Sequence, residues 1–575
     1  MSVADSFRQL SGRHLIDGQQ LRGAGAERVA VIDPATEELI GELVEATPTE
    51  VDTAVNAANA AQKLWKKVNY HRRAELLHEA AHAMRQARPV VAEMLTREMG
   101  KPYKESADEV VWSATATDYY AEIARHEAGK VLGPAVDNQF HFTTKEPLGV
   151  VVIILPFNYP LCLLCWQAAA ALASGNAVII KPSDLTTLTT LKFVEAFALL
   201  PPGLVQVLTG GAKVGQQLVG HPDTHMVAFT GGIETGRWVA QTCAGLYKRS
   251  LIETSGNDPF IVMPSAPIGI AARGAAFGAY LNCGQVCAAA ERFYVHAAVY
   301  EEFVAKLVEE TRKVRVGNGL ERVDMGPLAS QRELRRFTGI LQRARDEGIR
   351  TAIGGGRPSG LERGFFVEPT VLIDVPATAA IMNDESFGPV APVCKVASFE
   401  QALTLANRTR YGLGATIYTR DLDEAMRAVN ELEAGMVWVN APLLDNDAGP
   451  FGGRKQSGMG RQLGSEGLDT FRHTKLAMID PAAHPHDFWW FPSATPRPFR
   501  APVPVRSSGA CRTRCLRSSH AGSRRWSRSP RGPTSTRTAG CGSPCSASCC
   551  RSACSCSAGF FDAAALSAHS TRGDA

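Results

Sequence analysis

The chain is 575 residues long, 45% hydrophobic and 21% charged, with a formal net charge of +4. This composition excludes a low-hydrophobicity disordered chain, and no apolar run reaches the roughly 18–20 residues that a membrane-spanning helix needs. The charge divides sharply: residues 493–575 hold thirteen arginines, no lysine and only Asp562 and Asp574 as acids, so this tail carries +11 and the preceding 492 residues −7.

The opening MSVADSFRQLSGRHL lacks the apolar h-region of a secretory signal, which predicts a cytoplasmic protein. Only six of the fourteen cysteines precede the tail, in keeping with a reducing compartment. After a polar arm, Thr47-Pro48-Thr49-Glu50 has the capping-box pattern with proline at the first helical position, predicting a helix through Ala61 and Leu64. Further helices are predicted over 71–87 and 89–99, stopped by Gly100-Lys101-Pro102. The pattern then changes. LGVVVIILPF (148–157) is a continuous apolar, β-branched run suited to a strand buried on both faces. A helix-like LCLLCWQAAAALA follows, then NAVIIKPS (176–183), a helical stretch to Leu200, LVQVL (204–208), another helix and HMVAFTG (225–231). Such alternation predicts βαβ units and a parallel sheet, which places ligands beyond the carboxyl ends of its strands. KPS and FTGG occupy such positions. Beyond Gly256 a second α/β region is predicted, with helices near 267–281, 299–313 and 331–347 and extended FFVEPTVLI (365–373) and GMVWVNA (435–441).

LNCGQVCAAAERF (281–293) carries two cysteines four apart. Read alone, Cys283 and Cys287 are packed small hydrophobes, half of a metal site, or include a nucleophile. Other segments are equally open when isolated. Asn158 in PFNYP (156–160) reads as a turn former. Glu253 in IETSGNDPF (252–260) reads as a surface partner for Lys248 or Arg249. Gly231 and Gly232 in FTGGIETG (229–236) read as tight-turn glycines. KPSD (181–184), ESFGPV (385–390) and PFGGRKQSGMGR (450–461) complete the series.

In order and spacing these segments closely resemble the NAD(P)-dependent aldehyde dehydrogenase superfamily, over about residues 10–490. The resemblance implies an α/β fold with a Rossmann-like cofactor domain (1–125 and 149–254) and an α/β catalytic domain (255–469). A small β oligomerisation element (126–148 and 470–486) would complete it; residues 487–575 are a C-terminal extension, and the tail from 493, outside the resemblance, is expected from its composition to be disordered. The resemblance further implies that Cys287 is the nucleophile, forming a thiohemiacetal and then a thioester. Asn158 would hold the oxyanion, Glu253 would activate the hydrolytic water, and Cys283 would be a packed neighbour. Cofactor contacts would fall to Lys181, Asp184, Gly211, Gly215, Phe229, Gly231, Gly232, Gly236, Glu385 and Phe387. NAD is the expected cofactor and NADP the alternative, because the Asp184 carboxylate would repel a 2′-phosphate. The partners implied are a small-molecule aldehyde and identical subunits in a dimer or tetramer. No metal, membrane or nucleic-acid partner is expected.

Departures from the family pattern stand at Gly232 (commonly serine), at Thr254-Ser255-Gly256 (commonly Leu-Gly-Gly), and at Gln462, where Arg-Glu would be common. Retention of Glu253 argues against a coenzyme-A-acylating relative. Trp166 stands where some succinate-semialdehyde enzymes hold the substrate carboxylate with arginine. Together with Leu163 it predicts an apolar, aromatic pocket better suited to aliphatic or aromatic aldehydes than to anionic ones. The tail, rich in Arg, Ser, Ala, Gly, Pro and Cys without lysine, reads best as an out-of-frame translation of a GC-rich gene. Two rival readings are a nucleotide-binding scaffold without catalysis, which the retained Asn158, Glu253 and Cys287 oppose, and a dehydrogenase with a nucleic-acid-binding tail.

Overall fold

The computed structural model describes residues 2–486, Trp490 and Phe491; the arginine-rich tail lies outside the described residues. The N-terminal arm is not irregular. Val3–Leu10 is a helix capped by Ser2 and Asp5, which buries Phe7 and Leu10, and two hairpins follow over 13–22 and 28–44. The Thr47–Glu50 capping box closes as expected: Glu50 N–H donates to Thr47 Oγ1 at 3.2 Å and Thr47 N–H to Glu50 Oε2 at 2.8 Å, starting the helix Pro48–Trp65. The two helices predicted over 71–87 and 89–99 are instead one, Tyr70–Met99. Pro89 removes the donor that Arg85 would receive, but both residues lie on the exposed face, where water can satisfy that carbonyl. Gly100, at φ +99°, ends the helix in the left-handed region. A further helix, Tyr103–Ile123, packs against it through small residues such as Ser106, Ala114 and Thr117, a pattern that gave no strong apolar periodicity in the sequence.

The first sheet has eight strands, and its parallel core is Val150–Ile154, Ala177–Lys181, Val205–Val207, Met226–Thr230 and Arg249–Glu253. Numbered by their order along the chain, these five stand in the spatial order 3-2-1-4-5. The direction of winding therefore reverses between Val150–Ile154 and Met226–Thr230. In doubly wound sheets that switch point opens a crevice at the carboxyl ends, here at Leu155–Asn158 and Gly231–Gly232. Val150–Ile153 and Ala177–Ile180 are fully buried, which explains their unbroken apolar character.

A second sheet of seven strands is parallel except for its edge strand Arg350–Ile353, and it places Asp258–Val262 beside Ala290–His296 at its centre. The predicted extended stretch 365–373 contributes only Thr370–Ile373. A third, three-stranded sheet pairs Phe140–Pro147 with Arg472–Ile479 through eight register positions, with Val131–Leu132 on the other side. Among the described residues no helix is long and apolar enough to cross a membrane.

Candidate active site

The sequence motifs converge because each follows a strand of the first or second sheet. Asn158 lies beyond Val150–Ile154 and Glu253 ends Arg249–Glu253. Cys287 sits in the loop before Ala290–His296, packed against the core of the first sheet. Two cavities meet at this point. One, of about 600 Å³, is lined by Asn158, Gly231, Gly232, Cys287, Glu385 and Phe387 among others. The other, of about 210 Å³, is lined by Cys287, Leu163, Trp166, Tyr159, Trp438 and Phe451. Cys287 belongs to both walls.

The loop that carries Cys287 is tightly wound. Asn282, Cys283 and Gly284 have φ values of +50°, +57° and +71°, so three successive residues lie in the left-handed region. For the first two this costs on the order of 1 kcal/mol or more each. Hydrogen bonds offset that strain: Asn282 N–H donates to Glu105 at 3.1 Å, and Asn282 Nδ2 donates to the carbonyls of Asn158 and Gln285, each at 3.2 Å. A Cβ on Gly284 would stand 2.3 Å from the Gly388 backbone, so glycine is required there. Cys283 is buried within the core of the second sheet. Among the described residues no group of His, Cys, Asp and Glu is arranged to hold a metal.

Several participants escaped the sequence reading. The Asn158 carbonyl also accepts from Lys101 Nζ, whose other partner is Glu109 at 2.6 Å, both side chains being wholly buried. Glu109 Oε1 in turn accepts the backbone N–H groups of Leu161 and Cys162, at the start of the helix Pro160–Ala173. This ion pair fixes the turn that presents Asn158. Glu291 is the second. Its carboxylate accepts from Ser386 N–H at 2.8 Å, Phe387 N–H at 2.7 Å and Asn257 Nδ2 at 3.0 Å, and so shapes the Glu385–Phe387 loop. No local signal marks either one: Lys101 stands among Arg97, Glu98, Lys104 and Glu105, and Glu291 is followed by Arg292.

Burial couples the protonation of Glu253 and Cys287. Burial pushes the Glu253 carboxyl up to about 7, moderated by hydrogen bonds with Cys287, Gln462 and Thr230. Burial, with the Glu253 charge beside it, also holds the Cys287 thiol well above its ordinary value. The resting pair is thus a neutral thiol facing a carboxyl that changes state near neutrality. Glu385 is likewise raised, to about 8, by burial and by the charge of Glu291.

The larger cavity suits a dinucleotide. The helix Ile233–Gly245 begins at Gly232 without a side-chain cap, leaving its first N–H groups free to meet phosphate at the cavity wall. A Cβ on Gly236 would lie 2.6 Å from Thr254 Cγ2, and one on Gly231 2.7 Å from the Phe229 ring, so glycines let this helix pack close to the strands. Phe229 itself is buried beneath them and does not line the cavity. Lys181 is half-buried at the end of the neighbouring strand, its Nζ donating to the Pro182 carbonyl at 3.0 Å, with Asp184 beside it. Gly215 lies over the side chains of Ile154 and Lys181, and Gly211 N–H donates to Glu45 at 3.4 Å. These four lie outside the wall of the larger cavity, along the same carboxyl edge of the sheet. Phe387 packs edge-on against Phe157, ring centroids 5.8 Å apart, and both line the larger cavity.

Known proteins resemble this chain in sequence and fold. Residues 21–477 match the aldehyde dehydrogenase family. The chain is 35% identical over 509 residues to a chloroplastic aminoaldehyde dehydrogenase of Arabidopsis thaliana, an alignment covering 86% of this chain and 100% of that protein. It is 36% identical over 481 residues to a betaine aldehyde dehydrogenase of Mesorhizobium japonicum, covering 82% and 98%. A crystal structure of betaine aldehyde dehydrogenase from Staphylococcus aureus in complex with NAD+ superposes with a TM-score of 0.81 at 31% identity, over 85% of this chain and 98% of that one.

Proposed function

This chain belongs to the aldehyde dehydrogenase family, and on that premise we propose that it oxidises a small aldehyde bearing a cationic amino or ammonium group to the carboxylic acid. The observation that carries the reading is the placement of Cys287 on the shared wall of a phosphate-suited cavity and an aromatic, acid-rimmed one.

In this mechanism Cys287 sulfur attacks the aldehyde carbon while its proton passes to Glu253. The carbonyl oxygen becomes an oxyanion held by the Asn158 side-chain amide, a contribution of about 3 kcal/mol if it matches other such donors. Bound NAD(P) supplies the acceptor for the hydride that leaves this carbon, which turns the thiohemiacetal into a thioester. Glu253 passes the thiol proton on to solvent, and water then adds to the thioester carbon as the freed carboxylate takes one of its protons. The carbon–sulfur pair returns to Cys287, releasing the acid. NAD is the favoured cofactor because Asp184 stands beside Lys181, where a 2′-phosphate would meet a carboxylate.

The choice of a cationic substrate rests on the smaller cavity. Tyr159, Trp166, Trp438 and Phe451 offer aromatic faces, and Glu105, Asp108 and Asp445 stand around them. Tyr159 already receives a cation, since Lys101 Nζ lies 3.9 Å from its ring centroid. The one lysine on the wall, Lys104, is paired with Asp108 at 2.7 Å. The similarity to aminoaldehyde and betaine aldehyde dehydrogenases supports the same substrate class. We further propose a cytoplasmic homodimer or homotetramer, the six cysteines of the described residues all being free, as in a reducing compartment. The exposed Phe140, Leu476, Met478 and Ile479 of the three-stranded sheet support self-association.

The test is formation of reduced nicotinamide from NAD and NADP with matched ω-amino, neutral and carboxylate-bearing aldehydes, with Cys287→Ala in parallel. Preference for the amino aldehyde, abolished by the substitution, is the expected result. Equal turnover of the neutral aldehyde would refute the substrate class, and activity in Cys287→Ala would refute the nucleophile.

A further inference from the structure

Glu253 is met by one neutral amide and a hydroxyl, with the Cys287 thiol beside it, rather than by a cation among the described residues. Its Oε2 accepts from Gln462 Nε2 and, at 3.4 Å, from Thr230 Oγ1. Gln462 Oε1 accepts from Gln167 Nε2 at 3.0 Å, and the same Gln167 amide donates to Thr230 Oγ1 at 3.1 Å. All four side chains are buried, and they come from four separate segments: two strand ends, the middle of the helix Pro160–Ala173, and the bridge between Phe451 and Gln462. The bridge is held at both ends, Phe451 N–H donating to the Gln462 carbonyl at 2.6 Å and Gln462 N–H to the Phe451 carbonyl at 2.7 Å.

The network has a direction. Because Gln462 Oε1 is already engaged by Gln167, the NH₂ end of Gln462 is the end that faces Glu253. Glu253 Oε2 therefore spends its lone pairs on two donors, whereas Glu253 Oε1 is buried and, the neighbouring Cys287 thiol aside, meets no donor among the described residues. A buried acceptor left unsatisfied costs about 1–3 kcal/mol, so a fold that keeps one at a reacting group calls for a use.

We propose that Gln462, oriented by Gln167, is a positioning residue that anchors Glu253 Oε2 and reserves Oε1 as the atom that takes the proton from the hydrolytic water. This rests on the reading of Glu253 as the base. As the water oxygen bonds to the thioester carbon, one proton moves to Oε1, the other stays with the product, and the carbon–sulfur pair returns to Cys287. The amides carry no proton away; they hold the carboxylate still and leave it the lone ionisable group of its cage. Beyond the cage, Cys287 and Asp445 are the titratable groups that act on it.

The experiment compares Q462L, Q462E and E253Q with the parent. Rapid mixing reads the burst of reduced NAD and the following steady rate. Difference infrared titration of the cofactor-free protein, with E253Q as the blank, reads the midpoint of Glu253. Q462L is expected to keep the burst and slow the steady rate at least tenfold. Q462E sets a second carboxyl against the first and is expected to raise the Glu253 midpoint by about one pH unit, in the infrared and the rate profile alike. Being nearly isosteric, Q462E decides the matter should Q462L not fold. If Q462E leaves the midpoint unmoved and Q462L hydrolyses at the parent rate while E253Q does not hydrolyse, the positioning role is overturned and the base stands. If E253Q hydrolyses at the parent rate, the base reading falls and takes this inference with it.

Discussion

Replacing Glu253 by glutamine separates what this site costs the fold from what it does in catalysis. Burial holds the carboxyl at about 7 in the folded protein, against 4.5 for the free group. The folded state thus favours the protonated form, and the sign of the pH dependence follows. The stability associated with this group is whole below the unfolded value of 4.5 and is lost as pH rises through the folded value near 7. A gap of roughly 2.5 pH units corresponds to about 3 kcal/mol, as an order of magnitude. Glutamine cannot ionise, yet its oxygen can still accept from Gln462. E253Q should therefore match the parent in urea unfolding at pH 5 and exceed it by up to about 3 kcal/mol at pH 8, with the cofactor absent from both. The same samples should show no sustained turnover. In the parent, turnover should rise through pH 7 as the base ionises. A stability difference that does not change with pH, or a loss at pH 8, would refute the reasoning.

Asn158→Ala should lower kcat by roughly 10²–10³ with thermal melting and nucleotide binding unchanged, because the turn is held through the Asn158 carbonyl rather than its side chain. Lys101→Met leaves a wholly buried Glu109 without its cation and should destabilise the fold by about 3–5 kcal/mol in a denaturant titration. Adding Glu109→Gln should recover most of that loss, since an amide oxygen still accepts from Leu161 and Cys162. Asp445→Asn should raise KM several-fold for an ω-amino aldehyde and leave a neutral one unaffected. With Asp445 intact, KM for the cationic substrate should fall as pH rises, because burial and Asp447 push the Asp445 carboxyl upward and ionisation completes the attraction. Gly236→Val, whose Cβ would lie 2.6 Å from Thr254 Cγ2, should weaken nucleotide binding at least tenfold by fluorescence titration.

What could be read from the sequence follows from where physics concentrates information locally. Strands buried on both faces announce themselves as unbroken apolar runs. The turns after them need proline and glycine, so Asn158, Gly231 and Gly232 arrive already flagged by their neighbours. The long helix over Tyr70–Met99 reads as two in the sequence because proline is a local signal, whereas its tolerance depends on which face it occupies. Glu291 and Lys101 were passed over for a related reason. Each stands among other charges, and the partners, Asn257 and Glu109, lie 34 and 8 residues away with no local mark of the pairing.

Gln462 shows the same limit in its sharpest form. In the sequence it was a departure from a familiar pattern, in a glycine-rich turn, with no chemistry attached. Its meaning comes from Gln167, 295 residues earlier on a helix whose uniform alanine, leucine and cysteine neighbours suggest only packing. Each glutamine alone would be a buried polar residue in need of a partner. Together they share one hydrogen bond, from Gln167 Nε2 to Gln462 Oε1, and leave a donor for Glu253, which sits at the end of a third segment. Residues that touch substrate tend to lie on turns and carry distinctive neighbours. Residues that aim them lie on regular elements and become visible only when the fold brings those elements together. Variation in rate among proteins with the same nucleophile and base is therefore to be sought at such positions, where a change of side chain preserves the fold and alters the direction in which the base can act.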